Sequence, residues 1–262
     1  MALNIQFIRN ATVVLNYAGK KFLMDPLFAE KGRYPGLPGT PNSHLRYPLV
    51  DMPVAPERLL NVDAVLVSHL HPDHWDEVAV QTIPKHIKIL AQNDDDAKVI
   101  RSQGFTDVEA LGTDASFKDL NFKKTYCQHG TDVAYSIPEL AQVLGKASGF
   151  YFNAAGEKSI YFLGDTIWID EVESNLKTWQ PDVVVVNAGN AGFENEALGA
   201  IIMGKDDILK INQILPNATI IAIHMETVNH CILSRKELRD FVIKQGIQDK
   251  VIIPHDGQVI SL

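Results

Sequence analysis

Val65-Leu66-Val67-Ser68-His69-Leu70-His71-Pro72-Asp73-His74 is the stretch from which the rest of the chain can be read. An apolar run of the kind a buried strand presents stops at Val67, and three imidazoles and a carboxylate follow at once. In open α/β sheets ligands gather beyond the carboxyl ends of the strands, so polar residues here stand where a site is expected. His69 and His71 are two residues apart, and in extended chain both rings leave on one side and can meet one metal ion. Pro72 suits the first turn of a helix, expected over residues 72–83, and the change from extended to helical chain turns Asp73 and His74 toward a second position. One short loop can thus feed two metals. The plainer reading of the same residues is a set of surface or capping histidines.

A catalytic metal with nitrogen and oxygen ligands keeps about three protein ligands and one open position, so the loop needs partners. The same rule of position finds them: His129 follows the apolar run 122–127, Asp165 follows 160–164 and His224 follows 220–223. A lone histidine after a strand is more often a satisfied structural residue, but here three candidates stand at equivalent places. Around them, strands are expected at 5–8, 12–17 and 21–24, with a turn at Ala18-Gly19. Strands 64–67, 87–90 and 108–111 then alternate with helices 72–83 and 94–103. Strands 122–127, 149–153 and 159–163 repeat the β-rich theme, and helices 170–179, 206–215 and 234–245 alternate with strands 183–187, 219–223 and 251–253. Each half runs from antiparallel strands into strand-helix units, which suits an α/β two-sheet sandwich with helices outside.

Composition narrows the function. The 262 residues make one large domain or two intimately packed halves. A hydrophobic fraction of 46% with 21% charged residues is that of an ordinary globular protein. The net charge of −8 argues against a broad nucleic-acid footprint and against anionic membrane surfaces. Two cysteines cannot make a disulfide framework, and the opening Met-Ala-Leu-Asn-Ile lacks the basic and long apolar regions of a secretory signal. No apolar run approaches the ~20 residues of a membrane span. The expected location is cytoplasmic. Residues 26–56 have no period and hold seven of the thirteen prolines, so they form a long loop, either a substrate lid or a plain surface excursion.

With these residues in view, the chain resembles the metallo-β-lactamase-fold hydrolases across nearly its whole length. It carries their His-x-His-x-Asp-His loop, a later histidine, a Gly164-Asp165-Thr166 carboxylate and a final histidine. In detail it is similar to the branch of ascorbate-6-phosphate lactonase-like enzymes. The pointers are Lys21-Phe22-Leu23-Met24-Asp25-Pro26, Ser68-His69, Gly164-Asp165-Thr166 and Met203-Gly204-Lys205-Asp206-Asp207. The resemblance implies a four-layer αββα sandwich, a single domain over residues 1–262 with its Pro-rich loop at 26–56, and a binuclear site between the sheets. Carried over, His69, His71 and His129 hold the first metal, Asp73, His74 and His224 the second, and Asp165 bridges them. Arg9-Asn10-Ala11-Thr12 departs from the Gly-His this branch often has there, which leaves the role of that early loop open.

Two divalent metals sharing a water would lower its pKa and make it the nucleophile. Asp73 would then both ligate and orient, and His230 stands where it can protonate a leaving group or bind substrate, or simply enter a helix before Ser234. Asp25 is either an acceptor for an imidazole N–H behind the metals or the start of a turn at Pro26. His44 and His86 read as surface positions, His255 as a less favoured site residue, and Cys127 as a buried thiol. Gly189-Asn190-Ala191-Gly192 lacks a Walker pattern and reads as a wall of the site. Histidine and aspartate donors suit zinc first, with manganese or iron as alternatives. The function expected is hydrolysis of an ester, lactone or phosphoester of a small molecule, with no nucleic-acid or membrane partner and self-association left open. The alternatives are a phosphodiesterase or nuclease, or a metal-binding protein without turnover.

Overall fold

The computed structural model describes residues 3–262. Its first sheet begins as a meander of β1 (Asn4–Arg9), β2 (Thr12–Tyr17) and β3 (Lys20–Met24). It continues with β4 (Ala64–Val67), β5 (Ile89–Ala91) and β6 (Val108–Ala110), parallel to β3, with α1 (Glu77–Thr82) and α2 (Asp94–Ser102) between them. The second half adds β7 (Asp114–Phe117), β8 (Leu120–Cys127), α3 (Asp132–Tyr135), α4 (Pro138–Leu144), β9 (Ala147–Phe152) and β10 (Ile160–Phe162). It ends with α5 (Asp170–Trp179), β11 (Val183–Asn187), α6 (Lys205–Ile214), β12 (Thr219–Ile223), α7 (Arg235–Lys244), β13 (Val251–Ile252) and β14 (Val259–Ser261). The strand orders are β14-β1-β2-β3-β4-β5-β6 and β13-β12-β11-β10-β9-β8-β7. The last strand therefore returns to the first sheet, beside β1.

The two sheets face each other across an apolar layer, and helices cover both outer faces, giving the expected αββα sandwich. β11 shows why. Its Val183-Val184-Val185-Val186 run is buried throughout, as a parallel strand covered on both faces must be. Val183 and Val185 point to the inter-sheet core with Phe22, Leu66, Phe152 and Ile221. Val184 and Val186 meet Leu176 of α5 and Ile208 of α6 on the outside. Each such side chain contributes roughly 1.5–3 kcal/mol relative to exposure. At the centre Phe152 stacks on Phe122 at 4.9 Å and meets Phe22 at 5.8 Å. Among the described residues no helix is long and apolar enough to cross a membrane.

Strand direction places the site. β8 and β10 are both antiparallel to β9, so they run the same way, and β11 and β12 run parallel to β10. Their carboxyl ends leave one edge of the second sheet. β1 and β3 are both antiparallel to β2, and β4 is parallel to β3, so these three end at one edge of the first.

Some expectations need correction. The helix expected at 72–83 begins only at Glu77. The His74 and Trp75 amides both donate to the His71 carbonyl, closing a separate turn, and Asp76 is extended and caps α1 by accepting from the Ala79 amide at 2.7 Å. Pro72 thus stands in a turn before the helix. β7, α3, α4 and β14 were not anticipated. β7 is a short strand with alternating burial, and α3 and α4 present Val133, Ile137 and Val143 to solvent, so their sequence lacks a clean apolar period.

Residues 26–56 form a strap whose regular structure is limited to the 3-10 turn Pro56–Leu59 at its end and a bridge between Tyr34 and Tyr47. It is nonetheless firmly held. The Arg9 guanidinium, fully buried, donates to the carbonyls of Leu27, Ala29 and Val50, gathering both ends of the strap. Burial lowers its pKa to about 10, still above neutrality. The Asp76 carboxylate accepts from the Phe28 and Ala29 amides and the Tyr34 hydroxyl.

Candidate metal centre

All seven residues singled out as metal ligands come together where the two edges meet. His71 Nδ1 lies 3.2 Å from His129 Nε2, and His74 Nε2 lies 3.1 Å from His224 Nε2. Asp165 stands at the centre: its Oδ2 is 3.2 Å from His74 Nε2, 3.6 Å from His129 Nε2, 3.7 Å from His224 Nε2 and 3.9 Å from His69 Nε2. Its other oxygen accepts from the Asn187 amide at 2.5 Å. Asp73 Oδ2 is 3.2 Å from His224 Nε2. Three groups of donors lie close enough to share an ion: His69 with His71 and His129; His69 with His74 and Asp165; and Asp73 with His74 and His224.

What each ring does with its outer nitrogen decides what faces inward. His71 Nε2 is 2.8 Å from the Val143 carbonyl and His129 Nδ1 is 2.8 Å from the Ile201 carbonyl. A carbonyl only accepts, so those nitrogens carry the hydrogens, and the lone pairs of His71 Nδ1 and His129 Nε2 face each other. His74 Nδ1 contacts Asp25 Oδ2 at 2.9 Å, which likewise turns its Nε2 lone pair inward. The Ser68 amide and hydroxyl both donate to Asp25 at 2.7 Å, and the Ser68 oxygen is 3.0 Å from His69 Nδ1. That leaves His69 Nε2 buried without a hydrogen-bond partner. Lone pairs that converge in a buried space, one of them unpartnered, are a donor set made for a cation, and nitrogen and carboxylate oxygen fit zinc, manganese or iron.

The electrostatics agree. Burial raises the pKa of Asp73 and Asp165, but the imidazoles around them outweigh it and hold both well below the usual carboxylate range. Burial pulls His74 down, yet Asp165, Asp73 and Asp25 push it up to about 10, so without an ion its Nε2 holds a proton that a metal would have to displace. Burial takes His129 down to about 4 and, with the neighbouring His74 and His71, takes His69 well below its ordinary value. Two of the residues involved also have left-handed backbone: Asp25 at φ 43° and His224 at φ 61°. Strain of this kind persists where the surroundings over-determine it. Asp25 is fixed through its amide on the Leu66 carbonyl and its own carbonyl on the Thr12 hydroxyl, and the His224 amide donates to the Asn10 carbonyl.

His230 lies beside the cluster, 5% exposed, with a buried Nδ1 that has no partner. Burial pushes its imidazole down to about 4, and Asp73 and His224 are the charges that act on it most strongly. The preceding Asn229 ties this segment to the strap, accepting from the Leu37 amide and donating to Thr40 Oγ1 and the Pro41 carbonyl. His44, His86 and His255 are exposed and outside the cluster. Cys127 is a buried thiol that donates to the Leu163 carbonyl. The turn at Gly189 does form a wall: a Cβ there would collide with the His224 carbonyl and with Cys231.

Three contributors were missed. Asn187 ends β11 as Asp165 and His224 follow β10 and β12, so the strand-end rule could have found it. Asn10 donates to Asp73 Oδ2 at 3.2 Å and to the Asp73 carbonyl at 3.0 Å, which gives the early loop a place in the site. Cys231 Sγ is 3.4 Å from His224 Nδ1, a contact no spacing rule announces.

Comparison with known proteins agrees with this geometry. Residues 4–224 match the model of the beta-lactamase superfamily domain. UPF0173 protein YddR of Bacillus subtilis (strain 168) is 43% identical over 257 residues, 98% of either chain. A possible metal-dependent hydrolase from Veillonella parvula DSM 2008 superposes with a TM-score of 0.97 at 42% identity over 100% of both chains. An isothiocyanate hydrolase from Delia radicum gut bacteria superposes at 0.95 with 46% identity, covering 99% of this chain and 100% of its own. With the ligand geometry, these matches lead to one conclusion: the chain belongs to the beta-lactamase superfamily, in the UPF0173 family of metal-dependent hydrolases.

Proposed function

We propose that this chain holds two divalent ions and hydrolyses a small uncharged molecule at an electrophilic carbon, with an isothiocyanate as first candidate. His69, His71 and His129 would hold one ion, Asp73, His74 and His224 the other, and Asp165 Oδ2 would stand between them. The observation that carries the reading is the set of inward lone pairs around Asp165, each fixed by a committed outer nitrogen or left unpartnered. When bound, the ions supply a water activated near neutral pH and polarise the atom that gains negative charge.

The protein's own groups supply the rest. Asp73, held ionised, orients the attacking water by accepting a hydrogen bond from it. His230, uncharged at neutral pH, offers its unpartnered Nδ1 as a shuttle that takes up a proton released by the water and passes it to the leaving nitrogen. For an isothiocyanate, R–N=C=S + H2O → R–NH2 + COS. The water oxygen bonds to the central carbon, both water protons end on nitrogen, and the C–N bond breaks to give amine and carbonyl sulfide.

Two observations support an uncharged substrate. The main charges acting on Asp73, Asp165, His224 and His230 belong to the cluster itself, and the nearby Arg9 is spent on backbone carbonyls. A phosphoester or nucleic-acid strand would find only the ions themselves to meet its negative charge, with no cationic side chain outside the cluster among the main influences on these residues. The isothiocyanate hydrolase at 46% identity supports the substrate class. A lactone or carboxylic ester presents a similar carbon and is the second reading, supported by the lactonase-like segments around Asp25, Asp165 and Gly204.

The test is metal content per chain by mass spectrometry, beside a His71→Ala variant, with turnover of allyl isothiocyanate and of a lactone panel. About two metals, clear loss in the variant and isothiocyanate cleavage abolished by chelator are expected. Near zero metal after incubation with zinc or manganese would overturn the mechanism, and cleavage of lactones alone would move the substrate to the second reading.

A further inference from the structure

A pocket of about 450 Å³ lies between the strap and the start of α1, away from the metal ligands themselves. Its walls include Tyr34, Leu37 and Tyr47 from the strap and Pro72, Trp75 and Val80 from the other side. Pro72 joins His71 to Asp73, so one wall of the pocket is part of the ligand loop. Tyr47 adjoins the same loop: after burial, Asp73 is the largest influence raising its phenol pKa.

The chemistry of the walls selects what can enter. The polar tips of two of the three aromatic residues are already committed: Trp75 Nε1 donates to Gln103 Oε1 at 2.8 Å and the Tyr34 hydroxyl donates to Asp76 at 3.1 Å. What remains is mostly ring face, proline and aliphatic surface, with the Tyr47 hydroxyl and the Gln103 amide as the polar neighbours and the Tyr34 and Tyr47 rings 5.4 Å apart. The one charge lining the pocket is the exposed carboxylate of Glu77, which repels an anionic substituent. Pockets of this size and lining bind apolar groups and take their selectivity from a few polar neighbours.

We propose that this pocket receives the uncharged apolar substituent of the substrate, an aryl or aralkyl group, while the reacting carbon lies over Asp165. This rests on the proposed hydrolase reading and adds to it a preference for aralkyl over small alkyl substrates. The strap then acts as one wall of a specificity pocket, held in place by Arg9, Asp76 and Asn229.

Two measurements on the metal-loaded protein test it. Binding of 4-fluorobenzyl alcohol, followed by fluorine NMR, needs no turnover, and the ratio of kcat/KM for phenethyl over methyl isothiocyanate needs it. Val80→Phe fills the pocket from α1; Leu37→Phe fills it from the strap and serves if the first variant fails to fold. The folded variant should weaken alcohol binding and lower the ratio at least tenfold, within the range that small changes in an apolar pocket give. Absence of alcohol binding to the wild type, or equal binding and an equal ratio in the folded variant, overturns the pocket. Alcohol binding that the variant abolishes, with neither isothiocyanate hydrolysed, leaves the pocket standing and sinks the isothiocyanate reading instead.

Discussion

The two halves of the candidate centre are supported by different means. Behind His69 and His74 stands a buried side-chain network: Asp25 holds the Ser68 amide, the Ser68 hydroxyl and His74 Nδ1, and Ser68 approaches His69. Behind His71 and His129 stand two backbone carbonyls, those of Val143 and Ile201. Both carbonyls are placed by one small apolar cluster of Ala134, Leu144, Ala191, Ile201 and Ile202 beneath the exposed α3 and α4. One half leans on a buried carboxyl group, the other on packing at the surface. A carboxylate makes the ring it holds a stronger donor, whereas a carbonyl fixes orientation only as well as the chain around it is fixed.

The largest expected effect comes from removing the charge that supports the first half. Asp25→Asn should lower metal affinity by about 10–100-fold, the usual cost of losing such a partner. A chelator competition that leaves affinity within twofold of wild type would break the comparison. Next, Leu144→Ala loosens the cluster behind the second half. It should weaken binding of the ion that His71 and His129 would share with His69 severalfold, less than Asp25→Asn does, although Leu→Ala in a core costs about 2–5 kcal/mol of stability. If chelator removes both ions together in this variant, the two halves are not separately supported. The smallest change is expected from Cys231→Ala. Burial raises the Cys231 thiol above its ordinary pKa, so it is uncharged, and at 3.4 Å it holds His224 only weakly. Metal affinity should stay within about twofold, and a loss comparable to that of Asp25→Asn would show that thiol to be a principal support of His224.

The same contrast explains what could be read in advance. His69, His71, Asp73 and His74 announce themselves because one loop carries them all, and His129, Asp165 and His224 because each follows an apolar run. Asp25 was even between two readings, since the same residue precedes Pro26 and both turn and support are real: it bends the chain in a left-handed conformation and accepts three hydrogen bonds at once. The supports of the second half left no trace of this kind. Val143 and Ile201 act through main-chain carbonyls, for which any residue would serve, and α3 and α4 are too short and too exposed to show a helical period. The helix start was misplaced because Pro72 fits a turn as well as a first helical turn, and the cap that settles it is Asp76. The αββα layering was legible because buried parallel strands such as β11 are apolar throughout.

The return of β14 to the first sheet carries a consequence for how the molecule is made. Asn4 pairs with Ser261, so two strands far apart in sequence lie side by side. β1, which delivers Arg9 to the strap and Asn10 to Asp73, has its sequence neighbour β2 on one side, but its other side is covered only when the distant β14 joins it. Until then it is an open edge, the kind of surface on which nascent chains pair with one another. Contacts this far apart in sequence also form slowly. The pairing of β14 with β1 thus sets the moment at which a folding intermediate ceases to present that edge.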